Sequence, residues 1–292
     1  QMFISVRLFN TSQGRVLSDT ANYNIDIVKE GTRPEYLYKV PLKVEPGFEY
    51  ITEVKIIDRI RLMTVQAFVP FNTVSENNQY NFIARGHFAR NEILTPVVKK
   101  DGYINILYLR QPIDSIYVSY YKPFTAFPDP PSMLLPEKTL DYGPDTIIPL
   151  PYSDTMPLMF PREGIYFLTT GRNTGEGYTF CNFGNTFPSM NTPREMIKPL
   201  VYLASADEME KMLSSPRPKI ALDDFWVKCG GNVDKARELI RIYYTRVLYS
   251  NQYFTSYKEG WRSERGMIYI MYGPPDKVYK TSDGESWGYL KP

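Results

Sequence analysis

Hydrophobic residues recur at every second position up to about residue 171 and at every third or fourth position beyond it, so the chain asks for sheet first and helix later. Between Met2 and about Arg85, Ile4, Val6 and Leu8 alternate with Ser5 and Arg7, and Thr52, Val54 and Ile56 alternate with Glu53 and Lys55. Tyr38, Val40, Leu42 and Val44 alternate with Lys39 and Lys43 in the same way, and Val65 to Val69 supplies a further strand. Turn signals at Ser12 to Gly14, Gly31 to Pro34 and Pro46-Gly47 punctuate them. Short strands with one wet face favour a sandwich of the immunoglobulin or fibronectin type over residues 1–85.

A second β segment is expected over residues 86–171, with strands at Ile104 to Leu109, Ile116 to Tyr121 and Ile165 to Thr169. Pro112-Ile113-Asp114-Ser115 connects two of these strands, which are expected to pair. Ten of the 24 prolines fall between Pro123 and Pro161, a density no helix tolerates, so this stretch reads as edge strands and extended connections. Gly171 to Gly177 reads as a flexible linker between domains.

Helix signals begin after it. Thr192-Pro193-Arg194-Glu195 and Ser205-Ala206-Asp207-Glu208 are capping boxes, in which hydroxyl and carboxylate satisfy orphan amides reciprocally. Lys219 to Lys228 predicts a helix stopped at Gly230-Gly231, and Asn232 caps the next. That helix is predicted to run about 25 residues, with Ala236, Leu239, Ile240, Tyr243, Val247, Ser250, Asn251 and Phe254 as its core stripe. Met267 to Tyr272 reads as a strand and Gly273-Pro274-Pro275-Asp276 as a rigid turn. Val278-Tyr279 and Trp287-Gly288-Tyr289 flank a turn at Ser282-Asp283-Gly284. The expected architecture is mainly β with a carboxyl-terminal α/β (α+β) module: tandem immunoglobulin- or fibronectin-like β-sandwich domains at 1–85 and 86–171, then a helix-plus-hairpin domain at 172–292. A length of 292 residues accommodates two or three such units.

Composition removes several functions. His87 is the only histidine, so a His-rich zinc site or a Ser-His-Asp triad would have to be built around it alone, and it has no evident partner. With 34 basic and 32 acidic residues and no run of five like charges, a nucleic-acid groove or polybasic membrane patch is not indicated. Cys181 and Cys229 are not in CxxC spacing and read as two buried thiols, with a single bridge open in an oxidising compartment. No apolar run is long enough to span a bilayer as a helix. Gln1 in place of a methionine implies a removed leader or a missing start. No metal, cofactor or catalytic residue is expected.

The last hundred residues carry a resemblance. Asp224-Phe225-Trp226, Tyr243-Tyr244-Thr245-Arg246-Val247, Tyr249-Ser250-Asn251, Gly260-Trp261-Arg262-Ser263-Glu264-Arg265-Gly266 and Ile268-Tyr269-Ile270-Met271-Tyr272-Gly273-Pro274-Pro275-Asp276 follow one another in that order. Together they resemble the GWxTD-domain family, over about residues 190 to 292, with Ser263 for threonine and Glu264 for aspartate in the name-giving motif. The resemblance implies an exported protein of the Bacteroidota type without established catalytic activity. It also implies an outer-membrane-associated lipoprotein, periplasmic or at the cell surface, held by a lost amino-terminal lipid or through protein partners. Family members usually continue past the tryptophan hairpin, so a chain truncated at both ends is expected. The motif residues Trp226, Tyr244, Arg246, Asn251, Gly260, Trp261, Ser263, Glu264, Arg265, Gly266, Gly273, Pro274, Pro275 and Asp276 are expected to serve structure or interaction. Trp261 should be a core residue locking the long helix to a following strand, and Glu264 should pair with Arg265 or Arg246. Asp223 and Asp224, about 100° apart on a helix, read as a solvated face.

Two functions of different class follow. The leading one is a non-catalytic scaffold in an envelope secretion, biogenesis or assembly complex, docking proteins on tyrosine-rich, proline-stiffened faces. The rival is a glycan-binding or glycan-processing protein using Trp261 and Trp287 as a platform and Glu259, Glu264 or Asp276 as acids. A third is a chaperone-like accessory that adds strands at an open sheet edge.

Overall fold

The computed structural model describes residues 1–26, 38–88, 91–110, 112–128, 143–172, 174–280 and 284–290. It is a mixed α/β chain, with several antiparallel sheets followed by a helical region. Strands β1 (Met2–Asn10), β2 (Val16–Ile25), β3 (Glu49–Asp58) and β4 (Met63–Asn72) form one sheet in the order β2-β1-β3-β4. The predicted alternation places Val6, Leu8, Tyr50 and Thr52 on one covered face, since Val6 lies opposite Val54, and Leu8 opposite Thr52. Tyr38 to Val44 is not a strand and joins no ladder among the described residues. The segment is tied by Lys43 N–H to Asp19 Oδ2 (2.8 Å) and by Glu45 N–H to the Tyr50 hydroxyl (3.0 Å). Gly31 to Pro34 lies outside the described residues.

Beyond a short 3₁₀ turn, β5 (Phe82–Gly86), β6 (Tyr103–Tyr108), β7 (Ser115–Tyr121), β8 (Thr146–Pro151), β9 (Leu158–Met159), β10 (Gly164–Thr169) and β11 (Tyr178–Asn182) build two sheets, β5-β6-β9 and β11-β10-β7-β8. They share one core, in which Phe82, Ile104, Ile106 and Leu158 from the first meet Ile116, Val118, Leu168 and Phe180 from the second. Pairing therefore joins strands on both sides of residue 85 and of residue 171. The expected pairing of β6 with β7 is corrected: the two lie in different sheets, because the link between them crosses the core layer. Gly171 to Gly177 is likewise the connection of the β10–β11 hairpin and not an interdomain linker. The proline reading holds where it can be seen: Pro149 and Pro151 sit on β8, at the edge of its sheet, where no ladder donor is lost. Residues 129–142 of the proline-rich stretch lie outside the described residues.

The helices start where their caps predict. Thr192 and Ser205 complete capping boxes for α1 (Pro193–Ile197) and α2 (Ala206–Ser214), and Asn232 caps α4 (Val233–Phe254). Between them α3 (Pro218–Gly230) ends on Gly231, at φ +74°. At 22 residues, α4 is slightly shorter than expected, and Leu239 of its predicted stripe is exposed while Ala236, Tyr243, Val247, Ser250 and Asn251 are buried. The expected strand over Met267 to Tyr272 is overturned: α5 (Glu264–Tyr272) is a helix, entered through the N-cap Ser263. Strands β12 (Lys277–Lys280) and β13 (Glu285–Gly288) pair as foreseen, with Val278 opposite Trp287, while Ser282 and Asp283 lie outside the described residues. Cys181 is buried, but Cys229 is exposed on α3, correcting the pair of buried thiols, and no bridge joins them. Among the described residues no helix is long and apolar enough to cross a membrane.

Candidate functional site

The motif residues converge where α4, a single 3₁₀ turn at Gly260–Arg262 and the start of α5 meet. The approach is closer than side chains permit. A Cβ on Gly260 would overlap the Ser250 carbonyl of α4, and one on Gly266 would overlap the Gly260 carbonyl. The two glycines are thus the contact surface between three backbone segments. Asn251 of α4 closes the junction, accepting from Trp261 N–H (3.1 Å) through Oδ1 and donating to Pro188 O (2.8 Å) through Nδ2.

Trp261 is fully buried. Its carbonyl accepts from the Tyr202 hydroxyl (2.8 Å), and its ring packs beside Phe127 and Tyr202. It locks α4 to a helix, not to the expected strand. The Arg262 guanidinium covers the indole at 4.4 Å, is paired with Glu259 (2.5 Å), and donates to Thr125 O (2.9 Å), so it ties this junction to the segment after β7. Ser263 donates to Gly260 O (2.7 Å) and accepts from Gly266 N–H (2.9 Å), which commits its hydroxyl in both directions. A buried serine so committed is the N-cap of α5.

Glu264 does not pair with Arg265 or Arg246. Its partner is the buried ammonium of Lys258 (3.1 Å). Burial pushes the Glu264 carboxyl up, but its own backbone amide and Lys258 outweigh this and hold it below the usual carboxylate range. Arg246 instead donates to Ile270 O (2.9 Å) and Met271 O (3.0 Å), satisfying last-turn carbonyls of α5 that no amide reaches. Arg265 faces Glu285 (3.5 Å). Farther back, Trp226 sits against Tyr243 and Tyr244, and the Tyr244 hydroxyl donates to Met196 O (2.7 Å), so this end of the motif is also core. Asp223 pairs with Lys219 and Asp224 is exposed, as expected of a solvated face.

Gly273, Pro274, Pro275 and Asp276 form the turn after α5. Gly273 has φ +87° and its Cβ would press on the Arg246 guanidinium, so both the backbone and the space require glycine. Asp276 accepts from Leu290 N–H (2.8 Å) and anchors the hairpin. Trp287 is half-buried, with its indole N–H on Glu285 (3.1 Å). Trp261 offers no exposed ring for a sugar to stack on.

What lies open beside the junction is a cleft of about 700 Å³ lined by Tyr121, Phe124, Ile165, Phe167 and Tyr257, with the Lys122–Asp145 ion pair (2.9 Å) among its lining residues. Lys258 stands near the rings of Phe124 and Tyr257, and Arg262 holds Thr125, so the motif positions one wall of the cleft. Rings with one compensated ion pair suit an apolar or aromatic side chain and supply no acid–base pair. Lys258, Arg262, Tyr202 and the cleft residues escaped the sequence reading. The only local signal was Arg262 inside the motif, because the others meet it from distant parts of the chain. His87 lies elsewhere, with Nδ1 2.8 Å from Asn105 Oδ1, in a recess of about 360 Å³ shared with Arg85, Asp154 and Thr155. Among the described residues no group of three His, Cys, Asp or Glu side chains is placed to hold a metal ion.

Residues 164–292, from the start of β10 onward, match the family model described as the GWxTD domain. No curated protein and no solved structure matches the chain.

Proposed function

From the premise that residues 164–292 constitute a GWxTD domain, we propose that the protein is a non-catalytic interaction scaffold. On this reading it belongs to an envelope assembly, exported and attached at the outer membrane by a lipid or by its partners. Its immunoglobulin- or fibronectin-like β layers carry the domain and stiffen the cleft. One observation supports this most: the motif's chemistry is turned inward, with Trp261 sealed and the Ser263 hydroxyl committed on both sides. The motif's outward product is an apolar cleft that can seat a partner's side chain. A photo-crosslinking residue at Tyr257 in the native host tests it. The expected outcome is a discrete protein adduct from the envelope fraction at Tyr257 and none from a control at Tyr103, on β6 and outside the cleft lining. Recovery of only the free chain, after gentle extraction at native abundance, counts against the scaffold reading.

A further inference from the structure

Among the described residues, the edge of β4 that faces away from β3 is paired with no strand. Met63–Asn72 reads MTVQAFVPFN, with no charged residue, and Met63, Val65, Phe68 and Val69 are 60%, 62%, 53% and 48% exposed. Edge strands usually carry charge against pairing with another chain. Among the described residues, β3 is the only strand that pairs with β4.

The hydrogen-bonding parity of this edge is fixed. Thr73 N–H donates to Phe48 O (2.8 Å) and the β3–β4 register is unbroken, so odd-numbered residues of β4 bond β3 and even-numbered ones point outward. Two contacts agree: Pro70 O accepts from the Tyr80 hydroxyl (2.9 Å) and Asn72 O from Asn78 Nδ2 (2.9 Å). Pro70 has no amide, which leaves Thr64, Gln66 and Phe68 as the outward-facing residues with both donor and acceptor for a neighbour.

That set is symmetric about Gln66. We infer that β4 pairs antiparallel with β4 of a second copy of this chain across a two-fold axis at Gln66. Gln66 then lies opposite its own copy, and Thr64 lies opposite Phe68. Each pair exchanges two N–H···O bonds, and the set leaves no outward amide of Thr64, Gln66 or Phe68 unpaired. On the face carrying Met63, Val65 and Val69, Val65 meets Ala67 and Met63 meets Val69 in cross-strand pairs, and on the other face Phe68 meets Thr64. Since β4 carries no charge, self-pairing of the strand meets no like-charge repulsion, and the four-stranded sheet becomes eight-stranded. A strand of another protein could use the same backbone groups; the absence of charge along β4 and the matched apolar pairs at Met63, Val65, Ala67 and Val69 favour a second copy.

Sedimentation of the full chain tests this. At roughly 50 µM, well above a micromolar dissociation constant, the expected particle has twice the 33.9 kDa chain mass. Gln66→Pro removes the central outward donor and leaves the backbone ladder to β3 in place, as native Pro70 does, while also removing the bond from the Gln66 side-chain amide to Glu53 of β3. It should weaken the dimer about 100-fold, the worth of two hydrogen bonds, with unchanged far-UV circular dichroism. Val65→Lys, which leaves the backbone intact, should do the same by placing a charge in the apolar pairs. In a Cys229→Ser background, Gln66→Cys should cross-link to its copy with a short bis-maleimide. A wild-type monomer, a dimer unmoved by both substitutions, or a different protein held at the edge by a monomeric chain would each overturn the inference.

Discussion

Gly260 shows how much one missing Cβ decides. Alanine there would overlap the Ser250 carbonyl and separate the 3₁₀ turn from α4, so Gly260→Ala should cost about 1–3 kcal/mol or more, read as a lowered urea midpoint. Ser263→Ala removes the N-cap of α5 and strips Gly260 O of its hydroxyl partner, and should cost about 1–2 kcal/mol, while Ser263→Thr keeps both bonds. The thiols separate by exposure. Burial pushes Cys181 up to about 12, whereas Cys229 is exposed, so a thiol reagent should label one cysteine in the native protein and two in urea. At this scale the sequence exposed residue types but not partners. Ser263 was readable as a hydroxyl at a turn. Lys258 was not readable as the partner of Glu264, since Arg265 is adjacent in sequence and Arg246 belongs to the same motif, and sequence spacing does not rank these cations.

Elements were legible wherever a local signal set their ends. The hydroxyls of Thr192 and Ser205 and the amide of Asn232 marked three helix starts, because capping is settled within one turn. Met267 to Tyr272 shows the opposite. Six apolar residues in a row fit either period, and the choice fell to helix because Ser263 caps it, Gly266 lets it approach α4 and Arg246 closes its far end. Arg246→Met should therefore destabilise the fold by about 1.5–3 kcal/mol, measured by urea unfolding. A second device lies at α2. Lys228 first, then Ser205 N–H, hold the Glu208 carboxyl down at about 2, against an ordinary 4.5. Because the folded-state value is the lower one, the stabilisation is present above pH 4.5 and is lost as pH falls toward 2. Glu208→Gln should lower the urea midpoint at pH 6 and converge with the parent protein across that window.

On the scale of the whole molecule, among the described residues the β1–β4 sheet contributes to neither of the two main core clusters: one is shared by the sheets of residues 82–182, the other by the helices. In the Gln66→Pro protein, amides of β1 and β3 should therefore exchange hydrogen through lower-energy openings than those of β10 and α4, as read by mass spectrometry. Equal protection throughout would mean that the sheet unfolds with the rest. By itself the sequence determined the order of strands before helices, the caps, the edge position of proline-bearing β8 and the GWxTD motif, since each depends on neighbours within a few residues. Tertiary structure alone decided that β6 and β7 belong to different sheets, that Met267 to Tyr272 coils, that Glu264 finds Lys258, and that an apolar cleft opens beside Trp261. Those outcomes depend on contacts between residues tens to more than a hundred positions apart, or on choices that local pattern leaves degenerate. Only packing of the assembled chain separates the alternatives.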